Sequence, residues 1–408
     1  GMKGVMVCYQ SKLFVPAARY LPSIKQELET AIPLLQHGKV IDAQAAVVYP
    51  QETFRAIIHR DYFTKLKIPA TMDLLRSYVP MLFSRTGIDV IRNVDLIKLN
   101  SKKYRLIVMP GNIRISKTEL DALKKYVKNG GIVIADFGSL SIDDESHEKL
   151  DTSDFLGLKV TSMSKNPITL AGNNVMTDKR FIDGNTHARI ICGKAKATEK
   201  FTDGSPAVTV NSYGNGKVYY IGGLFPFDMV SKILKNIMLD NEITPQIELR
   251  PLKGKPVPAF VEANLAGRDG CHVLYLLNWG GEGGALTKLR DLPASDYVIR
   301  NLETANILKS PSGNDFWSAA EIAAGIPLKL ASLDPVTLLF EQKDLKPTLI
   351  RGISPARYNI LNQLWVAPEN KNNKAPVVAI SPIDKHEVFG DIPTARRVLT
   401  DNGYKVIN

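Results

Sequence analysis

The residues with the chemistry to bind or react gather after apolar runs, where a parallel sheet presents the carboxyl ends of its strands. Pro110-Gly111-Asn112 closes one such run and Asp136-Phe137-Gly138-Ser139 closes another. Asn112, Asp136 and Ser139, with Glu52 in the loop after an earlier run, are candidate binding residues, and Trp279 is a fifth in a different part of the chain. A serine nucleophile needs a sharp strand-to-helix turn and a histidine within hydrogen-bond reach. The turn at Ser139 has no G-x-S-x-G spacing and no cysteine. Its hydroxyl is therefore expected to serve the loop's own hydrogen bonds.

Other chemistries find less support. The six histidines (His37, His59, His147, His187, His272 and His386) stand apart, with no HxH or HExxH spacing, so no metal ligand set is assigned. His272, next to the apolar Val273, is expected to face out of a strand. Asp143, Asp144, Glu145 and Glu148 are read as a solvated polar loop. A glycosidase pair would instead need two carboxyls facing each other about 5 to 10 Å apart. The glycine-rich Trp279–Gly284 follows a strand rather than opening a helix, so it reads as a hairpin connection and not a phosphate loop. Cys8, Cys192 and Cys271 lack any CxxC spacing and are expected to be buried thiols. No catalytic constellation is complete, and no cofactor is implied.

The elements that must position these residues follow an α/β rhythm. Ala45–Tyr49, Ile88–Ile91, Tyr104–Met109 and Ile132–Ala135 read as strands that are apolar on both faces. Residues 71–86 read as a helix, kinked at Pro80 and closed by Gly87. Ser116 and Glu119 have the spacing of a capping box, which opens a helix ending at Asn129-Gly130-Gly131. Strands alternating with helices predict a parallel sheet covered on both sides. Shorter strands then appear at 190–192 and 207–210, followed by a hairpin signal at Tyr213–Lys217 and a helix over 227–238. Between 245 and 343, strand-like runs separated by Gly, Pro, Asn and Asp predict an antiparallel β-sandwich. The tail returns to strand, helix and strand at 376–380, 391–400 and 404–407.

Composition sets the outer bounds. At 408 residues the chain is long enough for two or three domains. Lys and Arg number 52 against 41 acidic residues, a net +11. They are scattered, which speaks for solubility rather than a nucleic-acid footprint. No run reaches the roughly 18 to 20 apolar residues of a membrane span. The expected location is cytoplasmic if the chain is complete, and periplasmic or secreted if a precursor carries a signal.

The middle of the chain resembles the trimerisation domain of family-42 glycoside hydrolases, the β-galactosidase group. The resemblance rests on Ala46–Tyr49, Tyr104–Gly111, Tyr126–Gly131, Asp154–Val160, Pro206–Thr209 and Tyr213–Gly222. Val273–Asn278, Tyr297–Leu302, Ile326–Leu330 and Asp334–Val336 resemble the C-terminal β-domain of the same enzymes. Residues 3–38 resemble the last strand and helix of their catalytic barrel. The resemblance implies a flavodoxin-like (class I glutamine-amidotransferase-like) parallel-sheet domain plus an antiparallel β-sandwich. The implied divisions are 1–44, 45–244, 245–345 and 346–408, the last a linker with the possible start of a further α/β domain. It implies a homo-oligomer such as a trimer and a carbohydrate-handling role; no nucleic-acid or membrane partner is expected, from the scattered charge and the lack of a long apolar run. The family's acid/base and nucleophile glutamates lie on barrel strands, and no residue here can be assigned either role. Two alternatives stay open: an amidotransferase-like hydrolase using Asn112, Asp136 and Ser139, and a carbohydrate-binding module using exposed Trp279 or Trp317.

Overall fold

The computed structural model describes residues 43–56, 80–81, 83–99, 101–177, 185–267, 270, 272–301 and 306–343, together with the backbone course of 39–40, 268, 271, 364–367, 377–380 and 405–407. The chain divides into two compact units, one of residues 42–246 and one of residues 1–41 with 247–408. The first is thus inserted, along the chain, into the second. The expected segments at 3–38, 71–79 and 391–400 lie outside the described residues.

The first unit is built on a seven-stranded sheet. Its order is Lys196–Lys200, Pro206–Tyr213, Gly216–Ile221, Ile132–Asp136, Leu106–Met109, Ala45–Tyr49 and Ile88–Arg92. The last five run parallel, and the first two join antiparallel through the hairpin at Gly214-Asn215. The parallel strands are continuous apolar runs because both of their faces are covered. Val47, Val108, Ile134 and Ile221 share a core with Met229, Ile233, Leu234 and Ile237 of the helix Phe227–Asp240. The alternate positions Val48, Ile107, Val133 and Tyr220 are buried as well. The helix Lys117–Lys128 opens on the expected reciprocal cap: Ser116 Oγ accepts from the Glu119 N–H at 3.2 Å, and Glu119 accepts from the Ser116 N–H at 3.0 Å. It closes at Asn129, where the following Gly130 has φ 98°.

Two antiparallel sheets form the described core of the second unit. Lys39–Val40, Val261–Arg268, Cys271–Asn278, Pro335–Gln342 and Tyr297–Asn301 form one, and Ile247–Pro251, Gly283–Leu289 and Ile326–Leu330 form the other. Val261, Leu274, Leu276 and Phe340 of the first sheet share one core with Ile247, Ala285 and Leu328 of the second. A short helix, Ala319–Ala324, adds Ile322 to that core; it opens on a second S-x-x-E cap, Ser318 with Glu321, that the sequence reading passed over. In the tail, Val377–Ile380 pairs antiparallel with Leu364–Ala367 and parallel with Lys405–Ile407.

Three expectations and one open alternative, that of an exposed Trp317, are corrected. His272 is 5% exposed and packs edge-on against Tyr297, because it shares the inward face of its strand with Leu274 and Leu276. Residues 279–282 do not close a hairpin, since the strands on either side belong to different sheets. Trp317 is 1% exposed and lies in the core, with its Nε1–H donated to the Leu308 carbonyl at 2.8 Å. Asp143 is buried rather than solvated. The Ser146 hydroxyl bonded to it, ahead of nearby Lys117, holds its carboxyl below the usual range. Of the three cysteines, the Cys192 thiol is half-buried, and burial pushes it above its ordinary value.

Candidate functional site

The five parallel strands lie in the spatial order 2-1-3-4-5 when counted along the chain. Order reverses at Ala45–Tyr49, so the loops that follow it and Leu106–Met109 flank the switch point, where open α/β sheets bind ligands. Glu52 and Thr53 lie on the short helical turn that follows the first of these strands, and Gly111 and Asn112 in the loop after the second. The Arg114 N–H donates to Thr53 Oγ1 at 3.1 Å and ties the two together. The Asn112 amide donates to the Val48 carbonyl at 3.1 Å and to the Pro110 carbonyl at 3.2 Å, which fixes the side chain beneath the loop. Its Oδ1 is buried without a partner.

Asp136 and Ser139 close the next strand. The Gly111 N–H points at the Asp136 carboxyl, 2.9 Å from Oδ1 and 3.0 Å from Oδ2. Gly111 has φ 60°, a left-handed conformation that glycine adopts without the steric cost of a Cβ. Ser139 Oγ lies 2.5 Å from Asp136 Oδ1 and 2.9 Å from the Met109 carbonyl oxygen. One hydroxyl proton cannot serve two acceptors. If Asp136 carries a proton, its O–H donates to Ser139 Oγ and the Ser139 proton goes to Met109, so every group is satisfied. Burial, against the bonds from Ser139 and Gly111, pushes this carboxyl up to about 7. The protonated acid is thus the species that both geometry and desolvation favour in mildly acidic solution.

Around this network the loops are held closely. The Gly138 N–H donates to Tyr220 Oη at 3.3 Å, and the Leu140 N–H donates to the Asn112 carbonyl at 2.8 Å. Leu140 is buried at φ 61°, a conformation that costs a branched-chain residue energy and that its neighbours must impose. Ser139 is 3% exposed, and neither bond of its hydroxyl goes to an imidazole.

The structure therefore brings Asn112, Asp136 and Ser139 together and leaves Glu52 aside. Glu52 forms a bidentate contact with Arg55 at 2.8 and 3.1 Å on the same short helical turn. Trp279 belongs to the other unit, where its indole is 51% exposed. The sequence reading missed a second polar group in the first unit. Arg114 Nη1 lies 2.7 Å from His147 Nδ1 and 3.9 Å from Asp144. Nearby, burial, its largest influence, raises the Glu119 carboxyl, and the charges of Asp144 and Glu52 add to that. The S-x-x-E spacing announced Glu119 as a cap, but the ring of charge depends on loop–loop contacts that local sequence does not encode. Among the described residues, no three His, Cys, Asp or Glu side chains stand close enough to hold a metal ion. No described helix is long and apolar enough to cross a membrane.

Comparison with known proteins fits this framework. The chain is 26% identical over 243 residues to the β-galactosidase BgaB of Geobacillus sp. (strain Y412MC61), covering 57% of this chain and 35% of that protein. It is 27% identical over 253 residues to the β-galactosidase LacZ of Heyndrickxia coagulans, covering 59% and 36%. It thus spans little more than a third of the length of these relatives. Among solved structures it is similar in fold to Gan42B, a GH42 β-galactosidase from G. stearothermophilus, with a TM-score of 0.53 at 18% identity over 74% of this chain and 40% of that one. The β-galactosidase from Bacillus circulans sp. alkalophilus gives a TM-score of 0.53 at 15% identity over 81% and 45%. The model of the β-galactosidase trimerisation domain matches residues 43–244, the whole parallel sheet with its loops, so this segment is similar to that family.

Proposed function

We propose that residues 45–244 form a non-catalytic, flavodoxin-like module that assembles a glycoside-hydrolase-like protein into a homo-oligomer, in the first instance a trimer. The 2-1-3-4-5 order of the parallel strands supports the flavodoxin-like description. The single shared core of the two antiparallel sheets supports reading 245–345 as a β-sandwich. The observation that carries the functional reading is the Ser139 hydroxyl. At the strand end where a hydrolase of this architecture would mount its nucleophile, that oxygen is buried and engaged with an acid and a carbonyl. Asn112 and Asp136 then act as loop anchors, and Glu52 is a surface ion-pair partner. Carbohydrate is the substrate class of the larger assembly, following the β-galactosidases that this chain resembles.

Light scattering on the 408-residue chain tests this reading. The expected particle mass is three times the 45.0 kDa of one chain. A particle that stays monomeric at micromolar concentration refutes the assembly role. Turnover of a nitrophenyl galactoside that is lost in Ser139→Ala refutes the non-catalytic one.

A further inference from the structure

In the second unit, the described large hydrophobic side chains that remain exposed are Trp279 and Leu333, at 51% and 65%. They adjoin each other through Asn278, whose carbonyl accepts from the Leu333 N–H at 2.7 Å. Leu333 also holds φ 56°, so an exposed apolar side chain is kept there at a backbone cost as well. Two such residues, joined through one backbone hydrogen bond at the end of a strand, set this surface apart within the second unit.

The loop that carries the indole is hydrogen-bonded at several points. The Trp279 N–H donates to the Phe260 carbonyl at 2.9 Å, and its Nε1–H donates to Glu262 Oε2 at 3.2 Å. Beneath it the buried Asn278 amide grips the Gly281 carbonyl at 2.9 Å and the Leu330 carbonyl at 3.1 Å, and Asn278 Oδ1 accepts from the Gly280 N–H at 2.9 Å. The ring thus has one hydrogen bond that orients it before any ligand arrives. On its C-terminal side, a Cβ placed at Gly281 would meet no atom within 4 Å, so the space beside the loop is open. Glu262 is partly buried and uses Oε2 for the indole, which leaves Oε1 as an acceptor.

We propose that Trp279 and Glu262 form a shallow carbohydrate site, in which the indole face carries a pyranose ring and the carboxylate accepts one of its hydroxyls. A pyranose presents polarised C–H bonds on one face, which suit the negative face of an aromatic ring, and hydroxyls around its rim. One tryptophan and one leucine fall well short of the roughly 800 Å² per partner that a stable protein interface buries, so a small ligand fits the patch better than a folded partner. The choice of a sugar rests on the proposed glycosidase setting, whereas the oriented and exposed indole does not.

The full chain, 15N-labelled at its indoles, can be titrated with a β-1,4-galacto-oligosaccharide and with cellotetraose. The Trp279 indole resonance is assigned by its loss in Trp279→Phe. One of the two sugars is expected to move that resonance and leave Trp317 unmoved, with a dissociation constant of about a millimolar. Trp279→Ala should weaken binding, followed by saturation transfer to the sugar, by about tenfold or more. Glu262→Gln, which keeps an oxygen for the indole N–H, should weaken it by about threefold while the other indole resonances stay in place. An unmoved resonance with both sugars at about 50 mM, where a millimolar site would be nearly saturated, overturns the proposal. Binding that is unchanged in Trp279→Ala overturns it too, as does a resonance that shifts only with protein concentration, which would assign the patch to a second copy of the chain. An oligomer that binds neither sugar defeats this site and leaves the assembly role standing.

Discussion

Replacing Asp136 by asparagine isolates the energetics of the strand-end network. Burial pushes the carboxyl up to about 7, against about 4 for an aspartate in an unfolded chain. Between those values the folded state keeps a proton that the unfolded state has released, so stability falls as pH rises. Three units at 1.36 kcal/mol each amount to about 4 kcal/mol lost between about pH 4 and pH 7, and little more above that. Asparagine reproduces the neutral acid: its Nδ2–H takes the place of the acid proton toward Ser139 Oγ, and its Oδ1 accepts from the Gly111 N–H. Asp136→Asn should therefore match the parent within about 1 kcal/mol at pH 4 and exceed it by up to about 4 kcal/mol at pH 8. Because the chain has two compact units, a global probe would mix two transitions. Amide hydrogen exchange of 106–109 and 132–136, followed against denaturant and corrected for intrinsic rates, reads the relevant opening free energy. The reasoning fails if the difference between variant and parent does not change with pH. It fails equally if the variant is the less stable of the two at pH 8.

Three further substitutions probe separate features. Gly157→Ala should destabilise the first unit by more than about 2 kcal/mol in denaturant unfolding. Its backbone has φ 68°, and an added Cβ would come within 2.4 Å of the Asn211 side chain. Ser116→Ala removes the oxygen that accepts from the Glu119 N–H and should cost about 1 kcal/mol by the same measurement, whereas Ser116→Asp should restore most of it. Leu333→Asn, which suits a left-handed backbone, should raise the stability of the second unit by about 0.5 kcal/mol, and a loss above about 1 kcal/mol would show that the leucine packs against something.

What the sequence made legible was local or periodic. The cap at Ser116 needs only residues three apart, and the parallel strands announce themselves because burial on both faces forbids polar alternation. His272 was misplaced for the same reason. Val273 and Tyr275 on one face are about as apolar as Leu274 and Leu276 on the other, so a period of two cannot say which face meets the core. The path of 279–282 depends on which sheet each flanking strand joins, and that is decided by pairings with Val261–Arg268 and Ile326–Leu330. The Trp279–Glu262 contact has the same origin: the register Val261↔Asn278 sets the two side by side although they are distant in sequence. Asn112, Asp136 and Ser139 could be grouped from their positions after strands. That Ser139 Oγ faces two acceptors could not be foreseen, because Met109 contributes a backbone carbonyl.

The insertion of one unit into the other bears on the timing of folding. Lys39 and Val40 pair with Gly267 and Ala266, so these two residues leave the ribosome before the whole of 42–246 and wait for their partners until it has been made. Such pairings have high contact order, and closing so long a loop is slow unless the intervening segment has already become compact. Early folding of the parallel-sheet unit would shorten the effective loop and bring the two halves of the other unit within reach. Until then the outer edge of Val261–Arg268 stays unpaired and open to the wrong strand. Mutations that slow the first unit should therefore appear as aggregation of the second.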